Sequence, residues 1–78
     1  MTIEWRALVR IRIGTGSADL ITGPNDAFEA LSNRWPAERG PHYKDAKRLC
    51  SIAIGGGLPP EVAREAFIAA ALEAAVLA

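Results

Sequence analysis

With 78 residues, 50% of them hydrophobic and 23% charged, the chain has the composition of a folded domain and not of a disordered one. Nine Lys/Arg balance nine Asp/Glu, which argues against a dedicated nucleic-acid binder with a strong basic excess. The single cysteine, Cys50, excludes an intrachain disulfide and metal sites built on cysteine pairs, and it fits a reducing cytoplasm.

This length gives room for one domain around one core. At about 0.05–0.15 kcal/mol per residue, such a domain is worth about 4–12 kcal/mol of stability. A deep, water-excluding active site is hard to build into so small a core. The N-terminal residues Met1-Thr2-Ile3-Glu4-Trp5-Arg6 carry no apolar stretch after a basic one, so no signal peptide is expected. The run Ala66–Leu72 is uncharged but far short of the ~20 residues that cross a bilayer. Charge is unevenly spread. Residues 1–48 hold eight Lys/Arg against six Asp/Glu, while residues 49–78 hold Arg64 against Glu61, Glu65 and Glu73.

Residues 5–13 alternate: Trp5, Ala7, Val9, Ile11 and Ile13 on one side, Arg6, Leu8, Arg10 and Arg12 on the other. That period of two, rich in β-branched residues, predicts a strand with one buried face. Gly14-Thr15-Gly16-Ser17 supplies a turn, and residues 18–22 form a second strand, which predicts a β-hairpin. A first helix spans about 24–35. Pro24 suits its first position, Asp26 opposes its dipole, and Ala27, Phe28, Leu31 and Trp35 line one face. Pro36 stops it. After the loop 36–41, a second helix spans about 41–54, with Tyr43, Ala46, Cys50, Ala53 and Ile54 on one face. Gly55-Gly56-Gly57 ends it. Pro59-Pro60-Glu61 opens a third helix, about 60–76, whose inner face carries Val62, Ala63, Ala66, Phe67, Ala70 and Ala74. Alanine lets helices approach closely and has the best helix propensity. The predicted fold is therefore α+β, an N-terminal antiparallel hairpin packed on three helices, ββααα.

Arg34-Trp35-Pro36, Arg39-Gly40, Tyr43, Ala46 and Cys50 come in order, then the glycine turn, Glu61, Ala63-Arg64, Ala66-Phe67, Ala69-Ala70 and Glu73-Ala74. In this pattern, over roughly residues 5–76, the chain resembles the small bacterial family catalogued as domain of unknown function 982. The resemblance implies this fold and a bacterial cytoplasmic setting, and it implies no activity. The chain departs from the family pattern at Gly23-Pro24, where a Ser or Thr cap is usual, and in the triple glycine. Both lie at helix ends.

Two basic groups stand out. Arg6, Arg10 and Arg12 would share the outer face of the first strand, alternate residues about 7 Å apart. Such a row can follow phosphates or grip an acidic partner; equally, it can be a solvated face, partly neutralised by Asp19 across the strands and by Glu4. Base-stacking aromatics are missing there, only Leu8 being apolar, which counts against RNA. The second group is Arg34, Arg39, His42, Lys44, Lys47 and Arg48, near a helix N-terminus that favours an anion. Alternatively, Arg39 bonds loop carbonyls and fixes the turn after Trp35-Pro36.

His42 is the only histidine. With Asp45 or Glu38 it could support catalysis, although an exposed helical His-Asp pair is usually inert. One histidine with scattered acids makes a poor metal site. Cys50 fits the core. The glycine turns at 14–17 and 55–57 lack phosphate-loop spacing. No catalytic, metal or cofactor residues are expected. A two-stranded hairpin has two open edges, so the expected role is a non-catalytic interaction module. Its partner would be a second copy in a homodimer or another protein, with nucleic acid or an anion as the alternative and a small enzyme as the residual one. The expected surface comprises Arg6, Leu8, Arg10, Arg12, Arg39, His42, Lys44 and Arg48.

Overall fold

The computed structural model describes residues 4–37 and 39–78. Its elements are β1 (Val9–Ile11), β2 (Asp19–Ile21), α1 (Pro24–Asn33), α2 (Pro41–Ile54) and α3 (Pro60–Glu73). The hairpin is antiparallel, with Val9 opposite Ile21, Arg10 opposite Leu20 and Ile11 opposite Asp19. This is the expected ββααα, α+β arrangement.

All three helices begin with proline at the first helical position, where its missing N–H costs nothing. At α1, Gly23 gives no side-chain cap. Instead the carboxylate of Asp26 reaches back to accept from the Thr22 hydroxyl at 2.8 Å and the Thr22 N–H at 3.4 Å. α3 runs back along α2, and its C-terminal end meets α2's N-terminal end. Ala46, Ala53, Ala63, Ala70 and Ala71 are all buried. The core centres on Phe67, with the Trp5 and Trp35 rings 5.8 and 5.5 Å from it and Tyr43 6.4 Å beyond Trp35. The Tyr43 hydroxyl donates to the Leu31 carbonyl at 2.9 Å and so occupies one of the last carbonyls of α1, which have no partner inside the helix.

The second strand is one residue shorter at each end than the 18–22 expected, and three further elements end elsewhere than the sequence predicts. The first strand is regular only over Val9–Ile11. Residues 6 and 7 bend away because α3 captures their backbone. Glu61 accepts from the Arg6 N–H at 3.0 Å, and Arg64 Nε donates to the Ala7 carbonyl at 2.8 Å. Ala7, expected inward, is exposed. α1 ends at Asn33, two residues before Trp35, with the Arg34 N–H closing on the Ala30 carbonyl.

The third difference is the end of α3, at Glu73 and not near residue 76. Ala75 adopts a left-handed φ of 58°. The Val76 N–H then bonds the Ala71 carbonyl and the Ala75 N–H bonds the Leu72 carbonyl, the Schellman pattern. The tail turns back and joins the sheet. Leu77 bridges Ile11, the Arg12 N–H donates to the Val76 carbonyl at 2.7 Å, and the Ala78 N–H donates to the Arg10 carbonyl at 3.0 Å. β1 therefore has a neighbour on each side. One of the two edges expected to be open is covered by the chain itself.

Candidate functional site

The segment 34–48 is where the sequence suggested an anion. α2 has no acidic residue in its own first turn and no side-chain cap, so its N-terminal amides need an acceptor from elsewhere. Glu73, at the end of α3, supplies it. Its Oε1 accepts from the Gly40 and Tyr43 N–H groups, both at 3.1 Å, and its Oε2 accepts from the His42 N–H at 3.2 Å. A carboxylate here also faces the positive end of the helix dipole. Gly40 makes room for it. A Cβ on residue 40 would stand 2.5 Å from Glu73 Oε2 and 2.7 Å from Cδ, inside contact distance.

The cations around this lock have internal tasks as well. Arg39 donates from Nε to the Pro36 carbonyl at 3.3 Å and from a terminal nitrogen to the Trp35 carbonyl at 3.1 Å. It thus fixes the turn after Trp35-Pro36. Its guanidinium and the Lys47 ammonium lie 5.1 and 5.9 Å from the Tyr43 ring centre, within cation–π range. Arg34 pairs with Asp19 and, at 3.4 Å, with Glu29. Arg48 pairs with Asp45 at 3.5 Å. Lys44 and the His42 residue are exposed.

That arrangement alters the pairing expected for His42. Asp45 is turned to Arg48, and Glu38 lies outside the described residues. Among the described residues there is no pocket and no group of three His, Cys, Asp or Glu side chains placed to share a metal ion. Cys50 is fully buried, and desolvation pushes its thiol up to about 12, far from the lowered values of reactive thiols. No described helix is long and apolar enough to cross a membrane.

The hairpin presents the other basic group. Arg10 and Arg12 stand exposed on the outer face, opposite the buried Val9 and Ile11. Arg6 does not continue their row, because it sits in the bend before β1 with its amide held by Glu61. Asp19 does not neutralise the row either. Its cross-strand partner is Ile11, and its carboxylate goes to Arg34. Among the described residues, Arg6, Arg10 and Arg12 form no ion pair. The sequence reading found Leu8 alone on this face. The register adds Leu20, directly opposite Arg10; the two leucines are 47% and 52% exposed. The signal was available in the sequence, since Leu20 alternates with Ile21, but the length of the turn hid its register. No aromatic joins them. Trp5, Trp35, Tyr43 and Phe67 are buried, and Phe28 packs against the core.

Comparison with known proteins agrees with this architecture and adds no activity. No curated protein matches the chain. The NMR structure of the Agrobacterium tumefaciens protein Atu1219 is similar to it at 33% sequence identity, with a TM-score of 0.80, over 97% of this chain and 76% of that one. A family described as "Protein of unknown function (DUF982)" matches residues 8–78, a span running from the hairpin's first strand through the Glu73 lock to the returning tail, and the chain belongs to that family.

Proposed function

We propose that this protein is a non-catalytic protein-interaction module whose docking surface is the outer face of the hairpin, formed by Leu8, Arg10, Arg12 and Leu20. The observation that carries the reading is that Arg10 and Arg12 stand exposed, with no ion pair among the described residues, on one face with the exposed Leu8 and Leu20. Arginine is enriched at protein interfaces, where its planar fork matches carboxylates. An apolar centre beside it gives burial that a solvated charge cannot. The partner that fits is acidic around an apolar patch. Bases have no aromatic platform on this face, which weighs against a nucleic-acid partner.

A homodimer is the second reading, and the outer edge of β2 favours it, since among the described residues the backbone of Leu20 has no partner there. Two copies cannot meet face to face here, because that would set arginine against arginine. Edge pairing avoids the repulsion, but β2 has only three residues, about 10 Å of edge. A stable dimer usually buries about 1,200 Å² or more, so edge pairing would need further contacts.

The test is capture from the native cytoplasm with the wild type and an R10E/R12E/L20S variant side by side, with both protein and nucleic acid analysed. The expected outcome is a protein retained by the wild type and lost by the variant, with unchanged melting temperature. The same set of proteins on both, or nucleic acid alone lost by the variant, removes the reading. Sedimentation across micromolar to millimolar concentration tests the homodimer, and a monomer throughout removes it.

A further inference from the structure

We propose that the partner is an extended acidic segment that adds to the sheet as a strand along the outer edge of β2, with carboxylates turned to Arg10 and Arg12. This rests on the reading of the hairpin's outer face as the docking surface, and it names how that surface is used.

The returning tail fixes the direction of the backbone groups. It bonds the Arg10 carbonyl and the Arg12 N–H, so the even residues of β1 turn toward the tail and Val9 and Ile11 turn toward β2. Arg10 and Leu20 are then the pair that exchange no backbone bond, and the N–H and carbonyl of Leu20 point away from β1. Among the described residues, no backbone bond outside the hairpin reaches Leu20; at Thr22, two residues on, the carbonyl accepts from the Trp5 N–H at 2.7 Å and the N–H reaches the Asp26 carboxylate at 3.4 Å, so an added strand has Leu20 and the side toward residue 18 to use. The sheet already accepts an added strand on its other side, where Val76–Ala78 makes two backbone bonds to β1.

Charge complementarity chooses the occupant. A strand laid against β2 places one side chain beside Leu20 on the outer face, and those two residues to either side share that face. Arg10 lies one strand further in, about 9.6 Å from the newcomer's backbone, a gap that an arginine and a glutamate span between them. An apolar residue opposite Leu20, with a carboxylate two residues along on the side of residue 18, satisfies the open amide and carbonyl, the leucine and both guanidinium groups at once. A second copy would offer Leu20 to Leu20 but bring no carboxylates to the arginines. A nucleic acid would bring phosphates but no ladder of donors and acceptors.

The probe is a blocked peptide, Thr-Glu-Thr-Val-Thr-Glu-Thr, titrated into the 15N-labelled protein. The expected result is salt-sensitive binding that shifts the amides of β2, slows hydrogen exchange at Leu20, and weakens about tenfold when the valine and its neighbours are N-methylated. Lysine in place of the glutamates, or the R10A/R12A variant, weakens it by a similar factor. If the N-methylated peptide binds equally well while the charge changes still matter, strand addition is overturned and the face remains a docking surface. If no peptide binds the wild type, or if the arginine variant binds equally well, the face reading falls with it. A Leu20 amide that shifts with protein concentration alone assigns the edge to a second copy and overturns the proposal.

Discussion

The protein has two basic regions of similar charge with opposite fates. In the segment 34–48 the helix amides and all the described arginines are taken up inside the chain. Glu73 occupies the α2 amides, Asp19 and Glu29 hold Arg34, and loop carbonyls hold Arg39. On the hairpin, Arg10 and Arg12 find no counter-charge among the described residues. Local basic density therefore does not identify a binding surface. What separates the two is where the fold places the acids, and Glu73 comes from the far end of the chain.

The largest effect is expected where the charge is engaged. Glu73→Ala strips three helix-terminal amides of their acceptor, and loss of capping interactions of this kind costs about 2 kcal/mol. That lowers the melting temperature by roughly 10 °C in a domain this size. Gly40→Ala should cost about as much, since its Cβ displaces the carboxylate while the backbone at φ −90° suits alanine. The two changes should not add. In the Glu73→Ala background, Gly40→Ala should cost little, and thermal unfolding of the four proteins measures this directly. Inorganic phosphate should raise the melting temperature of Glu73→Ala more than that of the wild type, because the vacated amides and nearby cations then form an anion site. Additive costs with no phosphate response would mean that the segment does not depend on the lock, and the contrast between the regions would fail.

The two Schellman ends show why some boundaries were legible in the sequence and others were not. At α2 the left-handed residue is Gly56, φ 82°, with the Gly57 N–H on the Ile52 carbonyl and the Gly56 N–H on the Ala53 carbonyl. Glycine announces that turn. α3 makes the same two bonds through Ala75, and alanine, a strong helix former, announces the opposite. The helix starts were legible because proline marks all three. The shortened strand was not, because Glu61 and Arg64 compete for backbone groups more than fifty residues away. Arg39's loop contacts were one of two readings open at sequence level, whereas Glu73 gave no local sign of its partners. Gly56→Ala should then cost about 1 kcal/mol. Ala75→Gly should be neutral or stabilising by up to about 1 kcal/mol, since relief of the left-handed strain is offset in part by backbone entropy. Denaturant unfolding distinguishes them, and equal losses from both would remove the strain from the account.

The smallest effect is expected on the hairpin, where its smallness carries the argument. If Arg10, Arg12 and Leu20 served the fold, replacing them would cost what buried or paired groups cost. Arg10 and Arg12 are alternate residues on one face, about 7 Å apart, and they repel each other with no ion-pair partner among the described residues. Leu20 is 52% exposed on the outer face, whereas Val9, Ile11 and Ile21 are buried on the inner one. R10A/R12A should therefore change stability by less than about 0.5 kcal/mol, and any change should be a gain that shrinks as added salt screens the repulsion. Leu20→Ser should also stay within about 0.5 kcal/mol. Urea unfolding at low and high salt provides the measurement. A loss above about 1 kcal/mol at either place would make this face part of the scaffold, like the Glu73 lock, and leave no reason to look for its partner.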